Sequence, residues 1–244
     1  MIAVPAYEQS SDQEVAFQAV DYILRVLKKN MVFGMTWGRA MHEFVEQLAK
    51  DERLRSLSFQ NVKVVPFLGT PGAIQSDSWN TTTYSNTLAT KVGNLLHCAS
   101  YNLSAPMYVE GTKEKELIES IDEIAKVLHM AETADIALIG IGSMQDDSSI
   151  IKAEIRTKEE YKELVRKGAV GEIVGRIYDK NGQTVDEYLK RKMVGISLDK
   201  IAKIPVRVGM SYGKDKIEAI KGAIAGGLVN VLVTDVPTAE LLLK

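Results

Sequence analysis

One cysteine, Cys98, occurs in 244 residues. No internal disulfide can form, and a lone thiol fits a reducing interior better than a bridge-built scaffold. The expected location is therefore cytoplasmic. An excess of one charge sign is also lacking. Thirty Lys and Arg face 32 Asp and Glu, for a formal net charge of −2, which advertises neither a nucleic-acid surface nor an acidic tail. Long apolar runs are missing too. The most apolar stretch, "IALIGIG" at 136–142, is far shorter than the roughly 18 residues a membrane span requires. The N-terminus shows no basic segment followed by an apolar one, so no membrane partner is expected. His42, His97 and His129 are scattered, without a second ligand at the spacing of a zinc helix, and no metal or cofactor is expected.

Several catalytic signatures are absent as well. "GIGSM" at 140–144 only superficially resembles a nucleophile elbow, and it lacks the third glycine of a dinucleotide fingerprint. "GMSYGKDK" at 209–216 is one residue short between its glycines for a phosphate loop of the Walker type, and no Ser or Thr follows its lysine. Serine hydrolysis, nucleoside triphosphatase activity and nicotinamide binding are all unsupported.

What is present is a soluble mixture, 45% hydrophobic and 25% charged, arranged in alternating patterns. Ser11 and Glu14 stand in capping-box spacing ahead of Val15, Ala19, Tyr22, Ile23 and Val26, which share one helical face. "MVFGM" reads as a strand. It leads into a helix over 37–50 with Met41, Phe44, Val45 and Leu48 on one side. "VKVVPFLG" and "PMYV" read as further strands. The first is followed by a polar stretch and the helix "SNTLATKVGNLLHCA", the second by a continuous helix over 113–134. "DIALIGIG", apolar without alternation, suits a strand covered on both faces. "VRVGMS" and "VNVLVTD" each precede a helical pattern, the last with Pro237 in its first turn. Such alternation predicts an α/β fold with a mostly parallel sheet and flanking helices. The segment 168–197 breaks the rhythm and reads as an antiparallel insertion turned at "DKNG". No repeat, low-complexity run or linker divides the chain, so a single domain over 1–244 is expected.

In an open α/β sheet, ligands gather beyond the carboxyl ends of the strands, where helix N-termini present amides and a positive dipole end. "GMTWGR" at 34–39 offers two glycines, the Thr36 hydroxyl and the Arg39 guanidinium. "SYGKDK" offers Gly213 with Lys214 and Lys216 in a first helical turn, where a cation opposes the dipole and a bound anion would remove the conflict. Taken singly, each turn reads better as backbone geometry, with Trp37 a packing residue. Together with the polar loop over 70–86, they point to a small anionic, hydroxylated ligand.

"VFGMTWGRAMHEFVEQL", "VKVVPFLGTPG", "YSNTLATKVG", "LSAPMYV", "ADIALIGIGSM", "GAVGEIVGRIYDKNG" and the C-terminal "GGLVNVLVTDVPTAELL", in that order over nearly the whole chain, resemble the sugar-binding effector domain of SorC-type bacterial transcriptional regulators. The resemblance implies a Rossmann-like fold similar to glucosamine-6-phosphate deaminase and ribose-5-phosphate isomerase, without catalysis. It also implies a phosphorylated sugar as effector and a homo-oligomer, dimer or tetramer. By position it places Gly34, Thr36, Trp37, Gly38 and Arg39 in a ligand-holding turn, with Gly69, Thr70, Asn86 and Gly140 around the pocket. Glu172 would be the acidic residue of the "GAVGE" segment, and Gly213 and Lys216 would meet phosphate. Amides and cations suit phosphate, whereas Glu172 and Asn86 suit hydroxyls. Two departures stand out. Residues 1–10 leave no room for the family's helix-turn-helix, so the expectation is a regulator shortened to its effector domain, with Met1 an introduced start and operator DNA contacted only through the absent domain. A natural stand-alone sensor is the alternative. "PFLGTPG" also replaces the paired glycines of many relatives, which leaves the sugar unspecified. The rival function is a sugar-phosphate isomerase or deaminase. Such an enzyme needs a positioned acid and base, and only Glu172 offers itself.

Overall fold

A computed structural model describes residues 1–4, 11–71, 81–146 and 148–244. Much of the polar loop, residues 72–80, lies outside them. Ten strands are described: β1 (Ile2–Val4), β2 (Val32–Met35), β3 (Lys63–Pro66), β4 (Ala99–Ser100), β5 (Ile136–Gly140), β6 (Gly142–Ser143), β7 (Ala169–Ile173), β8 (Arg176–Asp179), β9 (Val206–Met210) and β10 (Val231–Asp235). The helices are α1 (Ser11–Val26), α2 (Arg39–Ala49), α3 (Ser85–Leu95), α4 (Thr112–Ser120), α5 (Asp122–Glu132), α6 (Ser149–Lys152), α7 (Lys158–Arg166), α8 (Glu187–Lys192), α9 (Leu198–Ile201), α10 (Ile217–Ala225) and α11 (Val236–Leu242).

Seven strands form a parallel sheet in the order β1-β10-β9-β5-β2-β3-β4. From β2 the chain winds outward through β3 to β4. It then returns to β5 on the other side of β2 and winds outward through β9 to β10. The order therefore reverses between β2 and β5, the switch point at which such sheets open a crevice. Side chains of a strand alternate between faces, and β5 shows it. Ile136 and Leu138 join a core with α1, α2 and α3, whereas Ala137 and Ile139 join one with α5, α7, α9 and α10. On the second face lies a three-stranded antiparallel sheet, β6-β7-β8. The Tyr178 hydroxyl pins it by donating to the Ala219 carbonyl of α10 at 2.9 Å. Among the described residues no helix is long and apolar enough to cross a membrane.

Four expectations need correction. First, the buried stripe of α1 is Val15, Ala16, Ala19, Val20, Ile23 and Leu24, with Tyr22 and Val26 only part-buried at its margin. Second, the helix expected over 113–134 is two. The Ser120 hydroxyl bonds the Leu117 carbonyl at 2.7 Å, and Ile121 turns extended (φ −64°, ψ 123°) before Asp122 and Glu123 start α5. Third, "PMYV" is not a strand. Pro106 has no N–H for a ladder, and the segment makes only isolated bridges, Thr70 to Pro106 and Tyr108 to Met193. The sheet ends on β4 instead. Fourth, the β7–β8 hairpin turns at Val174–Gly175, not at "DKNG". The latter makes a second tight turn after β8, closed by the Gly182 N–H on the Asp179 carbonyl. Residues 187–192 are helical because the Asp186 carboxylate accepts from the Tyr188 and Leu189 amides.

Candidate functional site

The carboxyl ends of β2, β5 and β9 converge on a cavity of about 320 Å³ lined by Trp37, Gly38, Arg39, Gly140, Ile141, Gly142, Glu172, Met210, Ser211, Tyr212, Asp215 and Lys216, with Asp12 of α1 and Ala40 and Glu43 of α2. A groove of about 720 Å³ lies elsewhere, between Tyr101–Ser104 and α5. Its walls include Ile124, Val127 and Met130, and it does not meet the switch point. Volume alone therefore does not choose the site.

The turn at 34–39 divides its labour. Gly34 is a packing residue, since a Cβ there would lie 1.9 Å from the Phe67 ring. Thr36 is buried, and its hydroxyl accepts the Gly140 N–H at 3.0 Å, so it ties the ends of β2 and β5 together rather than facing the cavity. Gly38 adopts φ +106°, which glycine tolerates, and its N–H is already taken by the Thr83 carbonyl at 2.9 Å. Arg39 opens α2, whose first turn contains no acidic residue and has no side-chain cap. That positive dipole end faces the cavity through Arg39 and Ala40. Trp37 is buried and serves as wall, and its side chain hydrogen-bonds the Glu172 carboxylate.

Glu172 is the most constrained group. It projects from β7, buried, and accepts from the Gly175 N–H across the hairpin turn. Burial raises its carboxyl to about 7, although that amide, Lys216, Trp37 and Arg176 all favour the charged form. Opposite it, the Lys216 ammonium donates to the Ser143 hydroxyl at 3.0 Å and stands 3.8 Å from Asp215, to which Ser143 donates at 3.1 Å. Lys214–Lys216 form a tight 3-10 turn ahead of α10, so Lys216 is that helix's flanking residue. Gly213, at φ +103°, gives its N–H to the Thr238 hydroxyl at 2.8 Å and shapes the turn from outside the cavity.

Gly69, Thr70 and Asn86 are not brought to this cavity. A Cβ on Gly69 would meet the Ala105 carbonyl at 2.6 Å. The Asn86 amide brackets Leu103, donating to its carbonyl at 3.0 Å and accepting its N–H at 2.9 Å, and donates also to the Thr70 hydroxyl at 2.7 Å. All three hold the 103–107 segment in place. Sequence reasoning missed Asp12, Glu43, Ser143, Tyr212 and Asp215. Ser143 sits inside the "GIGSM" strand end and Asp215 between the two lysines, where a carboxylate beside a cation was a usable signal. Asp12, bonded to the Tyr212 hydroxyl, is brought in by tertiary packing alone. Among the described residues no cluster of His, Cys, Asp and Glu could hold a metal.

Fold and cavity together define a small-molecule-binding α/β domain. A family model described as "Putative sugar-binding domain" matches residues 2–244. The chain is 30% identical over 222 residues to the sorbitol operon regulator of Klebsiella pneumoniae, covering 90% of this chain and 67% of that protein. It is 30% identical over 230 residues to the transcriptional regulator LsrR of Escherichia coli K12, covering 93% and 67%. The solved full-length sorbitol operon regulator SorC of K. pneumoniae matches with a TM-score of 0.87 at 27% identity, over 99% of this chain and 75% of that one. The chain belongs to the sugar-binding domain family of SorC-type transcriptional regulators, and it spans about two thirds of the length of those curated relatives.

Proposed function

We propose that this domain senses a phosphorylated sugar and reports its presence through the assembly of a homo-oligomer in a cytoplasmic regulator of carbohydrate metabolism, where a separate DNA-binding domain contacts the operator. The observation that carries the reading is the polarity of the cavity. Lys216, Arg39 and the open end of α2 supply positive potential, and the remaining described charges, Asp12, Glu43, Glu172 and Asp215, are carboxylates. A phosphate would be held by these positive groups, and hydroxyls would donate to the carboxylates. Because carboxylates outnumber cations, an unphosphorylated anion without hydroxyls gains little here.

Differential scanning fluorimetry with hexose and pentose phosphates, beside the matching free sugars and polyols, tests this. A ligand at a hundredfold excess over its dissociation constant stabilises the folded state by about 2.7 kcal/mol, or roughly 5–10 °C for a domain of this size. Lys216→Ala, with circular dichroism unchanged, should abolish that rise. If only unphosphorylated sugars shift the transition, the phosphate part of the proposal fails. A neutral-range carboxyl at Glu172 also favours one rival, an isomerase or deaminase using it as general base. Turnover of ribose 5-phosphate or glucosamine 6-phosphate, abolished by Glu172→Gln, would establish the rival instead.

A further inference from the structure

Lys216, at the start of α10, already has an anion beside it, and the chain supplies that anion. Asp215 and Lys216 are neighbours in the 3-10 turn before the helix, and both reach Ser143 of β6. The Lys216 ammonium donates to the Ser143 hydroxyl at 3.0 Å, and that hydroxyl donates on to Asp215 Oδ2 at 3.1 Å. The same Oδ2 stands 3.8 Å from the ammonium, so the groups close a triangle. Helix α10 begins without a side-chain cap, and a carboxylate in the turn ahead of it also meets the positive end of the helix dipole. The cation and the hydroxyl that a phosphate would use at this corner are therefore engaged by a carboxylate of the protein.

The members of the triangle differ in their freedom to leave it. Ser143 is 5% exposed and is fixed on a strand of the small sheet. The Asp215 side chain is 51% exposed, so a change of rotamer is enough to return its carboxylate to water. Its second oxygen, Oδ1, lies over Gly213, where a Cβ would come within 2.8 Å. Glycine leaves the room that the carboxylate occupies. A phosphate brought to Lys216 and Ser143 while Asp215 stays in place would sit beside a like charge, which at such separations opposes binding. One of the two anions has to go, and Asp215 is the one with a path to solvent.

We propose that Asp215 is an internal competitor for the phosphate of the effector: its carboxylate fills the seat between Ser143 and Lys216 and is displaced when a phosphate monoester takes that seat. The exchange selects among ligands. A sugar carboxylate brings one charge in place of one and gains nothing by it, whereas a phosphate monoester brings about two charges and three acceptor oxygens. The competitor thereby sets a threshold against sugar acids and free sugars. The inference rests on the reading of Lys216 as the phosphate contact, and the sign of the Asp215 effect separates the two.

The test is isothermal titration calorimetry with inorganic phosphate, at ionic strength held constant with sodium chloride. It compares the wild type, Asp215→Asn, Asp215→Ala, Glu43→Gln and Lys216→Ala, each checked for fold by circular dichroism. If the carboxylate fills the seat in about nine molecules in ten, its removal should tighten phosphate binding roughly tenfold. Both Asp215 variants should show the gain, and Lys216→Ala should lose binding. Glu43→Gln takes one negative charge from another wall of the cavity. An equal gain there would reduce the effect to net charge and overturn the competitor. Binding that is unchanged or weaker in both Asp215 variants would overturn it too, since Asp215 would then position Lys216 for the ligand, and the phosphate reading would stand. Absence of phosphate binding in the wild type and in both Asp215 variants would overturn the inference as well, and the screen of sugar phosphates decides the parent reading separately.

Discussion

The Glu172 side chain couples ligand chemistry to stability through a single proton. Its carboxyl is raised from 4.5 to about 7 by burial. Between those values the folded protein holds a proton that the unfolded chain has released, so stability falls as pH rises through that window, and the neutral acid's advantage is gone above it. At full expression the effect is on the order of 3 kcal/mol. Glu172→Gln should flatten the decline, with urea midpoints that differ little between pH 4.5 and 8, whereas the wild type weakens. A parallel decline in both proteins would show that other groups carry it. Residue roles of this type were only partly legible in the sequence. Lys216, Glu172, Trp37, Arg39 and Gly140 were named and do meet in one cavity. Thr36 lies beside the cavity and Asn86 away from it, and both spend their hydrogen bonds within the protein, on Gly140, Thr70 and Leu103. A hydroxyl or amide beside a strand end reads alike from sequence whether it faces ligand or backbone, and only the partner's position decides.

Among the elements, long periodic patterns were legible and short ones were not. Met41, Phe44, Val45 and Leu48 are the buried face of α2 as their spacing predicts, because about three turns of consistent pattern outweigh local variation. The break between α4 and α5 depends on one side-chain hydrogen bond. The helix α8 depends on one cap, with six residues too few to show a period. That cap is also a test of how α8 is held. Asp186 is buried, caps α8, and receives Arg156 at 2.7–3.0 Å from two nitrogens, while the same guanidinium lies 4.2 Å from the Tyr188 ring. Asp186→Ala removes the cap and leaves a mostly buried cation with only the more exposed Glu160 as carboxylate partner, so equilibrium unfolding should show a loss of about 3 kcal/mol. Asp186→Asn keeps the cap acceptor and should cost about half as much. Equal losses in the two variants would mean that the cap contributes nothing beyond the ion pair.

At the scale of the whole molecule, two large cores face each other across one sheet, and β3, β5 and β10 each contribute side chains to both. β5 alternates Ile136 and Leu138 into one and Ala137 and Ile139 into the other, so loss of either helical layer uncovers the strands on which the second depends. The expected consequence is a single cooperative unit over the whole chain, as the absence of a linker also suggests. Phe44→Ala on α2 and Ile177→Ala on β8 cut the two cores separately, each at a fully buried position. Each should cost about 3–5 kcal/mol, and both should lower the same calorimetric transition. In the wild type that transition should carry an unfolding enthalpy of roughly 170 kcal/mol near 60 °C, with calorimetric and van't Hoff values equal. Two resolved transitions, one moved by Phe44→Ala and the other by Ile177→Ala, would divide the chain into separately folding halves. A cavity built from β2, β5, β9 and β7 would then straddle a mobile boundary, and ligand would be expected to raise both transitions at once.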